Sequence, residues 1–238
     1  MKLDILAFGA HPDDVELGCS GTIAKEISLG KKVGIVDLTR GELGTRGSVT
    51  IRNSESAKAS EILGISIREN LDMRDGFFIN DEVHQMKVVE KIRKYQPEIV
   101  ICNAIQDRHI DHGKGSKLVS DACFLSGLRR IETSIDGILQ EVWRPKVVYH
   151  YIQWENITPD FVVNISGFLE IKMKSILAYG SQFYNPNTNE PESPITSKNF
   201  LDSVKYRAQD LGRIIGVEHG EGFTVERYMA VNSLSDLI

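Results

Sequence analysis

Cysteine is scarce in this chain: Cys19, Cys102 and Cys123 among 238 residues, an odd number with no close pair. That pattern excludes a disulfide-stapled framework and a zinc knuckle. It leaves three small buried hydrophobes in a reducing compartment as the expectation. A cationic excess is missing too. Lys and Arg total 28 against 33 Asp and Glu, a net charge of −5, so no broad nucleic-acid face is implied. A local basic pocket for an anionic substrate remains compatible with that balance. No apolar run approaches the roughly 20 residues of a membrane span. The opening MKLDILAFGA is too short and too soon interrupted for a signal peptide. The expectation is a cytoplasmic protein that binds neither nucleic acid nor membrane. Nucleotide signatures are also absent. G-A-H-P-D-D stands where a dinucleotide fold has G-x-G-x-x-G, and Gly41, Gly44 and Gly47 are not followed by the Lys-Ser/Thr pair of a phosphate loop.

What is present is an alternation of strand and helix signals. LDILAFGA (3–10) is a short, almost continuous apolar run, as in a strand covered on both faces. Val15, Cys19, Ile23 and Ile27 then recur at helical spacing, and Gly30 closes the segment. Strands are expected at 31–39, 66–73 and 98–104, with helices at 54–64, from Val83 to near Tyr95, and around Leu118, Ala122 and Leu125. Further on, KVVYHYI and FVVNI read as strands, ILAYGSQF as a helix end, 184–199 as a proline-rich surface loop, and 202–216 as a last long helix. The length fits one domain over 1–238. The fold class is α/β, a Rossmann-like three-layer sandwich with a mostly parallel sheet.

In such a sheet, ligands bind at the carboxyl ends of the strands where the strand order reverses. With an order 3-2-1-4, the first and fourth strands flank that point. The first exits into His11, Pro12, Asp13 and Asp14, and the fourth into Asp107, Arg108, His109, Asp111 and His112. Pro12 suits a first helical turn, which puts the two adjacent carboxylates at a helix N-terminus, where the dipole favours their charge. Taken singly, each residue has a plain alternative: a capping carboxylate, a satisfied core histidine, a solvated loop imidazole. Together the two clusters suit a metal site of two histidines and one carboxylate with an open coordination position, as in catalytic zinc centres. One carboxylate of the Asp13–Asp14 pair would bind the ion while the other stands beside its water, and spacing alone does not divide those roles. Non-haem iron oxygenases also use two histidines and one carboxylate, and a metal-holding protein without turnover is a third class. His84 and His150 are expected to be structural, and His219 is left open.

AHPDDVE followed by DRHIDH resembles the paired motifs of the PIG-L/LmbE-like zinc-dependent N-deacetylases, A-H-P-D-D-x-E and H-P-D-H. TRGELGT (39–45), RNSESAKASEILG (52–64), AYGSQF (178–183) and GEGF (220–223) share the likeness. It lies nearest the bacterial subgroup that deacetylates N-acetylglucosaminyl malate in bacillithiol synthesis. The resemblance implies His11, Asp14 and His112 as ligands of Zn2+, with Fe2+ as the other candidate ion. It implies Asp13 as general base, and His109 as general acid or oxyanion partner, oriented and kept charged by Asp111. Arg52 and Arg108 fall at the positions of substrate-side arginines. The implied substrate is a small amino-sugar conjugate, other N-acetylglucosamine derivatives or chitooligosaccharides being the alternative, and the implied assembly is a homo-oligomer such as a hexamer. Ile110 departs from the motif's proline. Phe200 stands where some relatives carry a tyrosine, and neighbouring Tyr184 is assigned no role.

Overall fold

The structure is a computed structural model and describes residues 1–237. Its elements run β1 (Ile5–Gly9), α1 (Asp14–Ser28), β2 (Val33–Thr39), α2 (Val49–Leu63), β3 (Ile67–Met73), α3 (Glu82–Tyr95), β4 (Ile99–Cys102), α4 (Ile110–Leu125), β5 (Ser134–Ile135), β6 (Ile138–Leu139), β7 (Val147–Tyr151), β8 (Phe161–Asn164), α5 (Leu169–Leu177), α6 (Lys198–Ile214) and β9 (Gly220–Val225). The central sheet has the order β3-β2-β1-β4-β7-β9-β8. Its first five strands are parallel, while β9 runs antiparallel to both β7 and β8. The expected 3-2-1-4 half is therefore present, and the order reverses between β1 and β4.

Alternation along β1 feeds both faces, because successive side chains leave a strand on opposite sides. Leu6 and Phe8 join a core with Val88, Ile92 and Val119 from α3 and α4. Ile5 and Ala7 join the opposite core with Val15, Ile23, Tyr151 and Phe223. A third cluster, including Ala59, Ile176, Tyr179 and Leu201, ties α2, α5 and α6 together. The three cysteines are free and buried. Among the described residues no helix is long and apolar enough to cross a membrane.

Several boundaries differ from expectation. Helix α2 begins at Val49 rather than Ser54, because Ser48 caps it by accepting the Ile51 N–H at 3.3 Å. GEGF lies in β9, a strand whose glycines hid it from propensity reasoning. Helix α1 is broken: Cys19 is non-helical at φ −148°, ψ 18°. A broken helix exposes carbonyls on one side and N–H groups on the other. Lys172 donates to the carbonyls of Glu16 and Leu17, and Glu221 accepts from the N–H groups of Gly21 and Thr22. Lys172 and Glu221 pair with each other at 2.7 Å, so both ends of the break and both buried charges are satisfied. Gly18, just before the break, leaves room for the Tyr151 ring; a Cβ there would stand 2.1 Å from Tyr151 Cδ2.

Candidate metal centre

The exits of β1 and β4 bring His11, Asp13, Asp14, His109, Asp111 and His112 into one place. The three imidazoles lie with ring centroids 4.6 to 5.6 Å apart. His11 Nδ1 stands 3.5 Å from Asp14 Oδ2, and His112 Nε2 stands 3.1 Å from Asp14 Oδ1. Asp14 is the first residue of α1, and Pro12 lies before the helix, not in its first turn. His112 belongs to the first turn of α4, which starts at Ile110, so the DRHIDH segment is half loop and half helix.

Each ring is fixed from behind. His11 Nε2 faces Asp75 Oδ1 at 3.0 Å and Asp111 Oδ2 at 3.4 Å. His112 Nδ1 faces Asp107 Oδ2 at 2.5 Å. Carboxylates on the far nitrogens set the tautomers and direct the near nitrogens toward Asp14. Asp14 is oriented in turn by Asn103 Nδ2 at 3.0 Å and Gln153 Nε2 at 2.9 Å. Burial disfavours charge on both rings, yet hydrogen bonds and charge from neighbouring aspartates raise His11 well above its ordinary value and His112 to about 9. Burial likewise opposes ionisation of Asp14, but His112 and His11 hold it well below the usual carboxylate range. The centre therefore calls for positive charge between its rings. A divalent cation answers the same demand with both imidazoles neutral, so this donor set fits a metal. Among the described residues, the sets whose donor atoms all lie within 4.8 Å of one another are His11–His109–His112 and His11–Asp75–Asp111, whereas His11 and His112 meet Asp14 on different oxygens, Oδ2 and Oδ1. Replacing Asp107 or Asp75 by Asn is expected to weaken metal affinity by about 10- to 100-fold. Competition against a chromogenic chelator measures that loss directly.

Asp13 is the strained member. It sits at φ 121°, ψ −21°, outside the region L-residues favour, and its carboxylate makes no helix cap. Arg52 Nη2 holds its Oδ2 at 2.7 Å. Burial pushes the Asp13 carboxyl up to about 7; Arg52 pulls it down and Asp14 adds to the rise. Gly41, at φ 62°, makes the Arg52 position possible, because a Cβ there would lie 1.6 Å from Arg52 Nη1. That gives the glycine-punctuated loop a purpose other than cradling phosphate.

Two expected contacts are not made as expected. Arg52 is buried and its fork goes to Asp13 and to the Gly41 carbonyl, so it braces the carboxylate. Its place in the first half of α2, below the 41–47 loop, directs it inward. Asp111 does not hold His109 with its carboxylate, which accepts the Gly76 N–H at 2.7 Å and pairs with Lys114 and His11. The backbone N–H of Asp111 reaches His109 Nδ1 instead, at 3.2 Å, as His109 caps α4. A ring that accepts there carries its proton on Nε2 and is neutral. Burial, then His11 and His112, also lower His109 to about 4. Substituting Arg52→Gln is expected to lower kcat more than it raises KM, and to move the acid limb of kcat/KM to higher pH, since a cation that favours the Asp13 carboxylate is lost.

Arg108 is exposed, with its guanidinium 4.7 Å over the Trp154 ring. It borders a cavity of about 820 Å³ that reaches His112 and Gln153 at the centre and Trp154, Phe200 and Arg207 beyond. His84 bonds Asp81, and His150 is enclosed by Ser116, Asn103 and Glu226. His219 lies beside Gly212 of α6 and is absent from the imidazole cluster. Sequence reasoning missed Asp75, Asn103 and Gln153, and gave Asp107 no task. The exit rule that found β1 and β4 extends to β7, which ends two residues before Gln153.

Residues 6–123, which contain both clusters, match the family model described as GlcNAc-PI de-N-acetylase, PIG-L. The chain belongs to the PIG-L family. It is 33% identical to the conserved protein TT1542 from Thermus thermophilus, with a TM-score of 0.85 over 97% of this chain and 98% of that one. A diacetylchitobiose deacetylase from Thermococcus kodakarensis is 29% identical across 75% of this chain and 70% of its own length. The N,N'-diacetylchitobiose deacetylase from Pyrococcus horikoshii is 25% identical, with a TM-score of 0.79 over 98% of this chain and 88% of that one. Membership of PIG-L, with deacetylases among the relatives, makes the chain an enzyme of amide hydrolysis. All three predicted ligands and Asp13 fall inside the PIG-L segment, whereas Trp154, Phe200 and Arg207 lie outside it.

Proposed function

We propose that this enzyme removes the N-acetyl group from N-acetylglucosamine conjugates, using zinc held by His11, Asp14 and His112. The preferred conjugate is N-acetylglucosaminyl malate, which places the reaction in bacillithiol synthesis. One observation carries the hydrolytic reading: a carboxylate, Asp13, stands beside the three donors and is held by Arg52, with burial raising it to about 7. A general base works best with a pKa near the operating pH. Neither an oxygenase nor a metal store has use for it.

When bound, zinc polarises the acetamide carbonyl and acidifies a water. The chain's own groups then have these tasks. Asp13 accepts the proton of the attacking water on its carboxylate, steadied by Arg52. His109 presents Nε2–H to the oxygen that gains negative charge, which a neutral ring anchored at Nδ1 can do. This replaces the expected imidazolium acid. Asp13, now protonated, returns its proton to the departing nitrogen, and acetate and the free amine result. Arg108, at the cavity edge, suits a carboxylate on the aglycone.

Acetate release from N-acetylglucosaminyl malate, plain N-acetylglucosamine and N,N'-diacetylchitobiose tests this. The malate conjugate is expected to have the highest kcat/KM. Equal rates on all three would leave a general amino-sugar deacetylase, and a preference for the disaccharide would place the enzyme with its archaeal relatives.

A further inference from the structure

Charge around the 820 Å³ cavity is unevenly matched. Its wall carries the carboxylates Asp210 and Glu221, and both are engaged, by Arg213 at 2.9 Å and by Lys172 at 2.7 Å. Nearby Asp107 is committed to His112 and to the Glu155 N–H at 2.8 Å. Two arginines on the same wall, Arg108 and Arg207, make no salt bridge among the described residues, in a protein of net charge −5. Arg207 is half-buried on α6, and its Nη2 donates to the Trp154 carbonyl at 2.8 Å and to Asn156 Oδ1 at 3.2 Å. Those bonds fix the guanidinium without neutralising it. Burial lowers its pKa and the charge of Asp107 only partly offsets that, an indication that water does not fully solvate the guanidinium. Arg108 is steadied by the Trp154 ring, which itself stacks on Phe200 with centroids 5.3 Å apart. A desolvated cation without a partner is costly, so an unpaired arginine beside a reaction centre points to an anion that arrives with the substrate.

We propose that Arg207 is a specificity-determining residue: with Arg108 it forms a subsite in the cavity beside His112 that reads a carboxylate on the aglycone of the sugar. This deepens the deacetylase reading of the site and rests on it. Arg207, Trp154 and Phe200 all lie beyond residue 123, where the match to the family ends. Arg108 lies inside the matched segment and Arg207 outside it, so the half of the subsite on α6 suits a role in choosing among substrates that share one chemistry. Guanidinium forks match carboxylates in shape as well as charge, and two of them fit a dicarboxylate.

Calorimetric titration of the zinc-loaded full chain with glucosaminyl malate and with methyl glucosaminide tests the proposal without turnover, since neither carries an acetamide. Unsubstituted protein is expected to bind the acidic ligand at least about 10-fold more tightly. R207Q brings that ratio close to 1, and R207K, which keeps the charge but not the fork, restores part of it. R108Q, at an exposed position, provides a second variant should R207Q fail to fold, and it too reduces the ratio. Equal affinities in the unsubstituted protein, or a ratio that survives in folded R207Q, overturns the proposal; if R207Q does not fold, a ratio that survives both R207K and R108Q overturns it. Failure of the underlying activity looks different: no acetate from any N-acetylated conjugate while the affinity ratio stands.

Discussion

Asp13→Ala lowers turnover by about 10²- to 10⁴-fold, the usual contribution of a positioned general base, while the zinc content of the purified protein is unchanged. The two halves of that expectation come from different contacts. Asp13 is adjacent to the proposed ligands but faces Arg52, so on the proposed mechanism its loss removes the proton acceptor and leaves His11, Asp14 and His112 in place. The same substitution leaves Arg52 buried without its carboxylate, and breaking a buried pair from one side costs about 3–5 kcal/mol. Asp13→Asn keeps an acceptor for the Arg52 Nη2 N–H and is expected to melt closer to the unsubstituted protein, with an equal loss of activity. Metal analysis by mass spectrometry, a thermal melt and an acetate assay on the two variants separate the roles. Retained activity in Asp13→Asn would remove Asp13 from proton transfer.

Asp14→Ala produces the other large effect, a failure to hold metal. Among the described residues, Asp14 is the carboxylate that pairs with both the His11 and the His112 ring, and it is buried against Asn103 and Gln153. Without it, the two imidazoles lack the anion that, on the proposed assignment, brings them to one ion. Zinc at about 1,000 times its dissociation constant stabilises a protein that binds it only when folded by about 4 kcal/mol. The unsubstituted chain is therefore expected to melt several degrees higher with zinc than with chelator, and Asp14→Ala to melt at one temperature in both. A full zinc shift in Asp14→Ala would move the ion to His11–Asp75–Asp111 or to the three histidines.

The parallel half of the sheet was legible because its strands are short apolar runs covered on both faces and separated by helices with clear periodicity. The residues at the exits of β1 and β4 followed from topology. Supporting groups were harder to see for a physical reason. Asp75 reaches His11 across 64 positions and Gln153 reaches Asp14 across 139, and no local pattern marks a side chain whose partner is that distant. Arg52 illustrates the opposite case. Its position beside the motifs was visible, but its direction was not, and direction depends on Gly41 opening space beside Asp13. The break in α1 was equally hidden. Val15, Cys19, Ile23 and Ile27 keep helical spacing through it, because Lys172 and Glu221, far along the chain, replace the bonds that the break removes.

Anomalous diffraction from crystals of the full chain grown with zinc tests the metal assignment most directly. One ion is expected about 2.0–2.2 Å from His11 Nδ1, an Asp14 carboxylate oxygen and His112 Nε2, with Asp13 outside its ligands. An ion bound on the other side of the His11 ring, between Asp75 and Asp111, or none at this centre under saturating zinc, would contradict the account.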